Sequence, residues 1–411
     1  MTRLERESGT EGLASGSHVP RVLGEVGGPG VGLLAPTLVV VAGLHGNEPA
    51  GVVASRRVLA ALAGREDRIR GRVVFLSGNR KALAERVRFL DRDMNRAWTP
   101  MQVAALRTLS GGAASEPDPA GRPPSPEDEE QRELLEALDA VLDTSPGPVY
   151  VLDLHTTSGP GGIFTAVGDT LENRTMALAL PVPLVLGLEE MVDGTLQDYL
   201  GSRGVSAVTF ESGQHLEPEA VDRAEAGIWL LLAATGLFPE GALPELAPAR
   251  KLLVQAGHQL PRSLEIRYRH PVRPGDAFQM NPGWANFHRV RRGQVIAEDR
   301  NGPIRAPVTG RILMPLYQPQ GEDGFFMVRE FHPFWLNLSR ILRRARVDRA
   351  IHWFPGIRKD PERHGVLLVN RRVARWYALQ LLHLLGFRRH REEGDQLVVL
   401  RRPRAVRSLE P

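Results

Sequence analysis

The sequence predicts an α/β protein built on a largely parallel sheet, followed by a small all-β unit and an appended α+β piece. Three observations carry this. The runs Thr37–Ala42, Gly71–Leu76, Val149–Leu154 and Val205–Phe210 are short, β-branched and apolar with little alternation, as strands buried on both faces of a sheet are. Helical patterns separate them, so strands and helices alternate. After Arg250 the texture changes to short alternating stretches broken by Gly293, Gly302, Gly310 and Gly321.

Taken in order, residues 1–18 are polar, rich in Gly and Ser and without periodicity, which predicts a mobile tail. The α/β domain spans 19–240. Its first strand, Thr37–Ala42, stops at Gly43, the pattern Val52–Ala63 is helical, and Gly71–Leu76 completes a βαβ unit. Ser110–Pro126 is dense in small, Pro and acidic residues and predicts an exposed insertion at about 110–126. A helix over Glu127–Leu142, strands at Val149–Leu154 and Val205–Phe210, and a last helix over Ala220–Leu237 follow. The Pro-rich stretch Pro239–Pro248 marks a boundary. Residues 250–330 form the small β domain and 331–411 a basic α+β extension. In the extension Trp335–Val347 and Arg371–Leu385 are helical in period, Gly386 is a C-cap, and Gly365–Val369 and Gln396–Leu400 are strand-like.

Composition narrows the chemistry. With 411 residues, 42% hydrophobic and 24% charged, the chain can bury several cores, which excludes disorder throughout. It lacks an apolar run long enough to span a membrane, and its first eighteen residues lack the apolar centre of a secretory signal, so a soluble cytoplasmic protein is expected. Zero cysteines exclude disulfides and thiolate ligands, leaving His, Asp and Glu to hold any metal. The net charge of +4 is uneven: residues 331–411 carry 18 basic against 7 acidic side chains, a net +11, leaving −7 for residues 1–330. Arg outnumbers Lys 49 to 3, a compositional bias that weakens any argument from single arginines.

Three polar clusters follow the buried strands, where open α/β sheets bind ligands. They are His45-Gly46-Asn47-Glu48, Arg88 to Arg96, and Asp153 to Ser158. His45 and Glu48 can reach one ion if the chain turns between them, and His155 completes a set of two imidazoles and one carboxylate. Such a set leaves one position of a tetrahedral zinc for water. Glu211, at the end of the fourth strand, adds an acid.

Four motifs in order, H-G-N-E at His45–Glu48, D-x-D-x-N-R at Asp91–Arg96, D-L-H-x-T at Asp153–Thr157 and E-x-G at Glu211–Gly213, resemble the succinylglutamate desuccinylase/aspartoacylase family. The likeness covers roughly residues 20–330. It implies a doubly wound, zinc carboxypeptidase-like catalytic domain and a small β domain that shapes the entrance to the site. It further implies one zinc per chain on His45, Glu48 and His155, with Glu211 moving the proton. Arg88, three residues before Asp91, would steady the oxyanion, and Asn95 and Arg96 would hold a substrate carboxylate. The function implied is a zinc-dependent amidohydrolase acting on an N-acyl amino acid or related small carboxylate-bearing substrate. The alternatives are a zinc carboxypeptidase on short peptides, and an inactive relative that binds nucleic acid or an acidic partner through its basic tail.

Two positions depart from the family pattern. Gly321–Phe326 offers only phenylalanine where aspartoacylases place a tyrosine, and Arg203, eight residues before Glu211, is off the spacing of a further arginine. Asp91 and Asp93 are expected to orient the arginines, and Asp153 to back a histidine. His215, close after Glu211, is placed either on the pocket wall or, as loop histidines more often are, in solvent; Gly159–Gly162 reads as a flexible lip, and Tyr268 and His270 as structural. The arginine clusters at 343–346, 371–372 and 388–391 lie among Trp335, Trp353, Trp376 and Tyr377. They read as a solvated face over a small core, so neither nucleic acid nor a membrane is an expected partner. A homo-oligomer stays open.

Overall fold

The computed structural model describes residues 19–27, 34–109, 125–239, 241–360, 366–370, 373, 382–393 and 396–401. The tail at 1–18, nearly all of the insertion at 110–126 and most of the helix expected over Arg371–Leu385 lie outside the described residues.

The body strands are β1 (Val22–Gly27), β2 (Thr37–Ala42), β3 (Arg72–Ser77), β4 (Val149–Thr157), β5 (Phe164–Val167), β6 (Leu184–Leu186) and β7 (Ser206–Gln214), in the sheet order β1-β3-β2-β4-β7-β5-β6. From β3 through β2 and β4 to β7 every pairing is parallel, whereas β1 and β5 run antiparallel to β3 and β7. The continuous apolar runs are explained by cover on both faces. Leu38, Val40, Ala42, Leu152, Leu154 and Phe210 pack into one core with α1 (Ala50–Leu62). Val39, Val41, Leu76 and Val151 face a second core on the other side, with α3 (Pro100–Leu109) and α4 (Pro126–Thr144), which follow the short α2 (Arg80–Glu85). Helix α4 begins at Pro126, and the Asp128 carboxylate in its first turn accepts the Ser125 N–H at 2.8 Å. Helices α5 (Leu171–Ala179), α6 (Leu196–Ser202) and α7 (Pro218–Ala234) complete the layers.

Strands β4 and β7 run further than their apolar stretches. The ladder continues until His155 stands opposite Glu211, with an irregularity between His155 and Thr157. Both residues therefore lie on strands rather than past their ends.

The Pro-rich boundary runs into one more element, α8 (Leu246–Ala256), and contains its first three residues. Beyond it, β8 (Ser263–Pro271) pairs parallel to β6, and three later strands of the β unit extend the same sheet. The unit comprises β9 (Gln279–Met280), β10 (Arg289–Val290), β11 (Val295–Asp299), β12 (Gly302–Arg305), β13 (Gly310–Leu313) and β14 (Asp323–Glu330). Strands β14, β13 and β10 follow β8 to make eleven strands in all, while β12-β11-β9 form a separate sheet of three. The three-residue β6 would otherwise be a bare edge, and pairing with β8 covers it.

In the extension, α9 (Phe334–Arg344) precedes an antiparallel sheet of β15 (Ile357–Lys359), β16 (Val366–Asn370), β17 (Phe387–Glu393) and β18 (Gln396–Arg401), in the order β15-β16-β18-β17. Its basic residues are not all on a solvated face. Helix α9 buries Ser339 and Arg343, while Phe334 and Trp335 stand about half exposed. The Arg343 and Arg388 side chains both reach Asp169 of the body, which Arg174 also holds. Arg388 further bonds Glu190 at 2.9 Å, and His383 bonds Glu265 at 2.8 Å. Part of the positive charge of the tail is thus spent on docking it to the acidic body.

Burial works against the Asp169 charge, yet Arg174, Arg343 and Arg388 hold its carboxyl well below the ordinary range. Breaking such a buried cluster by Asp169→Asn is expected to cost about 3–5 kcal/mol in urea unfolding. An aspartate in the unfolded chain titrates near about 3.9, so the contribution is full above that pH and is lost as pH falls through the depressed folded value. The Tm difference between wild type and variant should hold steady down to about pH 4 and narrow as pH falls below it; a gap that stays constant to about pH 3 contradicts this role. Among the described residues no helix is long and apolar enough to cross a membrane.

Candidate metal centre and active site

After β2 the chain leaves the sheet at Gly43, whose φ of +72° suits glycine. At Gly46 a Cβ would fall 2.0 Å from the backbone of Ala82, so the turn can close against α2 only without a side chain. The Glu48 N–H donates to the His45 carbonyl at 3.2 Å, and this turn brings the two side chains together. His155 reaches the same point from β4.

The three converge on one another. His45 Nδ1 lies 2.8 Å from one Glu48 oxygen and His155 Nδ1 lies 3.0 Å from the other. Ligand atoms of all three residues fall within 4.8 Å of each other. The second nitrogen of each ring is backed by a carboxylate, His45 Nε2 by Asp93 and His155 Nε2 by Asp153, each at 3.0 Å. Metal-ligating histidines are oriented in this way. Four buried carboxylates, Glu48, Asp93, Asp153 and Glu211, lie around the two imidazoles and the guanidinium of Arg88. Two imidazoles and one carboxylate are a zinc donor set, so the residues fit that metal.

The charges respond to each other. Burial opposes ionisation of Glu48, but His45 and His155 keep its carboxyl well below the usual range. Burial also works against a charge on His155, which Asp153 and Glu48 nevertheless raise well above the ordinary imidazole value. Glu211 behaves oppositely. Burial pushes its carboxyl up to about 8, and its Oε2 has no hydrogen-bond partner among the described residues.

Arg88 is anchored by Nε and Nη2 on Asp93 at 3.2 and 2.8 Å, with Nη1 3.6 Å from Glu48. Asn95 accepts the Leu196 N–H at 2.8 Å through its side-chain oxygen, which leaves its amide NH2 to donate. Arg96 pairs with Asp323 of β14 at 2.6 Å, and Arg269 also bonds that carboxylate. All seven residues singled out from the sequence, His45, Glu48, Arg88, Asn95, Arg96, His155 and Glu211, line a single cavity of about 110 Å³.

Some expectations are corrected. Asp93 orients Arg88 and His45, but Asp91 is exposed, and Arg96 is held by Asp323 instead. His215 is not a solvent-facing loop residue. It lines the cavity, 2.7 Å from the Thr156 hydroxyl and 3.1 Å from Gln318. Arg203 bonds Asp139, and neither lines the cavity. Gln318, Glu322 and Asp323 come from the β unit, whose segment before β14 closes over the body: Asn47 donates to Gln318 at 2.6 Å, and Gln320 bonds the backbone of Arg88 and Phe89. These residues carry no local motif in the sequence.

Residues 35–234 match the family model described as succinylglutamate desuccinylase/aspartoacylase catalytic domain. That segment, 200 of the 411 residues, is similar to the catalytic domain of this family. A segment of 59 residues is 42% identical to a succinylglutamate desuccinylase of Pseudomonas putida (strain KT2440), covering 14% of this chain and 18% of that protein. The match thus spans under a fifth of the curated relative. Among solved structures, a succinylglutamate desuccinylase/aspartoacylase from Rhodobacter sphaeroides is 19% identical with a TM-score of 0.50, covering 75% of this chain and 88% of the other. A succinylglutamate desuccinylase from Chromobacterium violaceum is 19% identical with a TM-score of 0.49, over 73% and 86%. The first of these likenesses shows that this chain shares its fold with that structure.

Proposed function

We propose that the protein is a zinc-dependent amidohydrolase that cleaves the amide of a small N-acyl amino acid or a related carboxylate-bearing substrate. The observation that carries the reading is the meeting of His45, Glu48 and His155 with the partnerless Glu211 oxygen in one small buried cavity. His45, Glu48 and His155 would hold one metal ion. That ion supplies an acidified water and an electrophile for the scissile carbonyl.

The remaining work falls to the chain. The ionised carboxylate of Glu211, lining the same cavity as the metal set, takes a proton from the attacking water and hands it to the leaving nitrogen. Arg88, fixed on Asp93, directs Nη1 toward the metal set and donates to the carbonyl oxygen as negative charge develops there. The amide NH2 of Asn95 and the guanidinium of Arg96 bind the substrate carboxylate. A cavity of about 110 Å³ favours a compact acylated substrate. Arg88→Gln is expected to lower kcat by about 10²–10³, with metal content unchanged in metal analysis of the same sample.

The experiment is acyl release from N-acetyl and N-succinyl amino acids set against cleavage of short peptides at their C-termini. Turnover of an acyl amino acid supports the reading. Turnover of peptides alone replaces it with a carboxypeptidase, and a folded, zinc-supplied protein inert toward both replaces it with a binding protein.

A further inference from the structure

The 3₁₀ turn Leu188–Glu190 lies between β6 and α6 and carries contacts on two sides. On one side Leu188 and, just beyond the turn, Val192 line the catalytic cavity. On the other side Glu189 and Glu190 meet the extension. Arg388 of β17 bonds Glu190 at 2.9 Å and lies 3.8 Å from Glu189, and His383 pairs with Glu190 at 3.5 Å. Glu189 also accepts the Asp169 N–H at 3.1 Å, and Arg343 and Arg388 hold Asp169 in turn. The side chains of Asp169, Glu189, Glu190 and Arg388 are all buried in this joint.

A turn of this kind has little stability of its own. The Glu190 N–H donates to the Gly187 carbonyl at 3.3 Å, and the Met191 and Val192 N–H groups both donate to the Leu188 carbonyl at 3.0 Å. Such short 3₁₀ pieces have poor hydrogen-bond geometry, so what they pack against sets their conformation. The turn also leads to the carboxylate clamp. The Met191 carbonyl accepts Arg269 Nη1 at 3.0 Å, Arg269 Nε bonds Asp323, and Asp323 pairs with Arg96 at 2.6 Å. Extension, turn, cavity wall and Arg96 therefore form one contiguous set of contacts, although residues 331–411 lie wholly outside the segment that the family model matches.

We propose that the extension positions the substrate-binding wall of the catalytic cavity through Arg388, which fixes the turn bearing Leu188 and Val192 and, by way of Met191, Arg269 and Asp323, steadies Arg96. Arg388 does not line the cavity, so it is a positioning residue and not a catalytic one. Its effect falls on how firmly substrate is held, while the metal set, Arg88 and Glu211 are left as they are. In its kinetic consequence the proposal rests on the amidohydrolase reading, in which Arg96 binds the substrate carboxylate. The extension thus has a use that the catalytic residues do not explain.

Arg388→Met in the full chain tests this with two readouts. In hydrogen exchange, peptides covering residues 188–192 should exchange at least about tenfold faster than in wild type while β2 keeps its rate, whereas a general loss of stability would speed both. In steady-state kinetics on an N-acyl amino acid that the wild type hydrolyses, KM should rise about threefold to thirtyfold with kcat within about twofold, as expected when binding weakens and the chemistry does not. If Arg388→Met does not fold, Glu190→Gln decides on the same readouts, since it removes the charge that Arg388 and His383 meet and leaves Arg388 on Asp169. Unchanged exchange at 188–192, exchange raised equally in β2, an unchanged KM, or a fall in kcat at constant KM overturns the proposal. A wild type that hydrolyses no N-acyl amino acid removes the amidohydrolase reading instead, and the exchange readout still decides whether the extension fixes the turn.

Discussion

Glu211→Gln is expected to lower kcat by about 10²–10⁴-fold while the protein keeps its metal. Glutamine has the shape of glutamate and no site for a proton at neutral pH, so the substitution removes the proton transfer and little else. Glu211 stands outside the ligand group of His45, Glu48 and His155, so metal retention is not at risk. Its Oε2 bonds no described residue, so no structural hydrogen bond through that oxygen is lost. Steady-state kinetics with metal analysis on one preparation separates the two effects. Wild-type turnover in this variant would remove Glu211 from the mechanism, and loss of metal would make it a ligand.

His155→Ala is expected to weaken metal binding by more than about 100-fold and to abolish turnover with it. The substitution takes one of three donors away and also leaves Asp153 and Glu48 buried without the imidazole they face. Asp153→Asn should be milder, about 10–100-fold, because it alters only the backing of the ring. His45→Ala should resemble His155→Ala, since His45 spans Glu48 and Asp93 in the same way. Competition with a chelator of known affinity measures all three. If the histidine variants hold metal as tightly as wild type, the ion sits elsewhere.

How much of this was legible in the sequence depended on the reach of each interaction. Strands β2, β3, β4 and β7 are sandwiched between two cores, and burial on both faces writes an unbroken apolar run. Strands β5 and β6 have four and three residues, too few to show a period. Helix α8 was hidden because Pro-rich chain around its start reads as a linker. In the site, the His45–Glu48 turn is local and its chemistry can be read from four residues. The clasp of Arg96 by Asp323 joins positions 227 apart, and neither residue announces it. The same holds for Arg343 and Arg388 on Asp169, where composition shows a basic tail and an acidic body but not which side chains meet.

The most direct test of a metal centre at His45, Glu48 and His155 is zinc titration of chelator-stripped protein, followed by the rate of acyl release from the best N-acyl amino acid substrate. The expected result is no turnover without metal, rising to a plateau at about one zinc per chain. Undiminished turnover in the stripped protein, or a plateau reached only well beyond one equivalent, would contradict it.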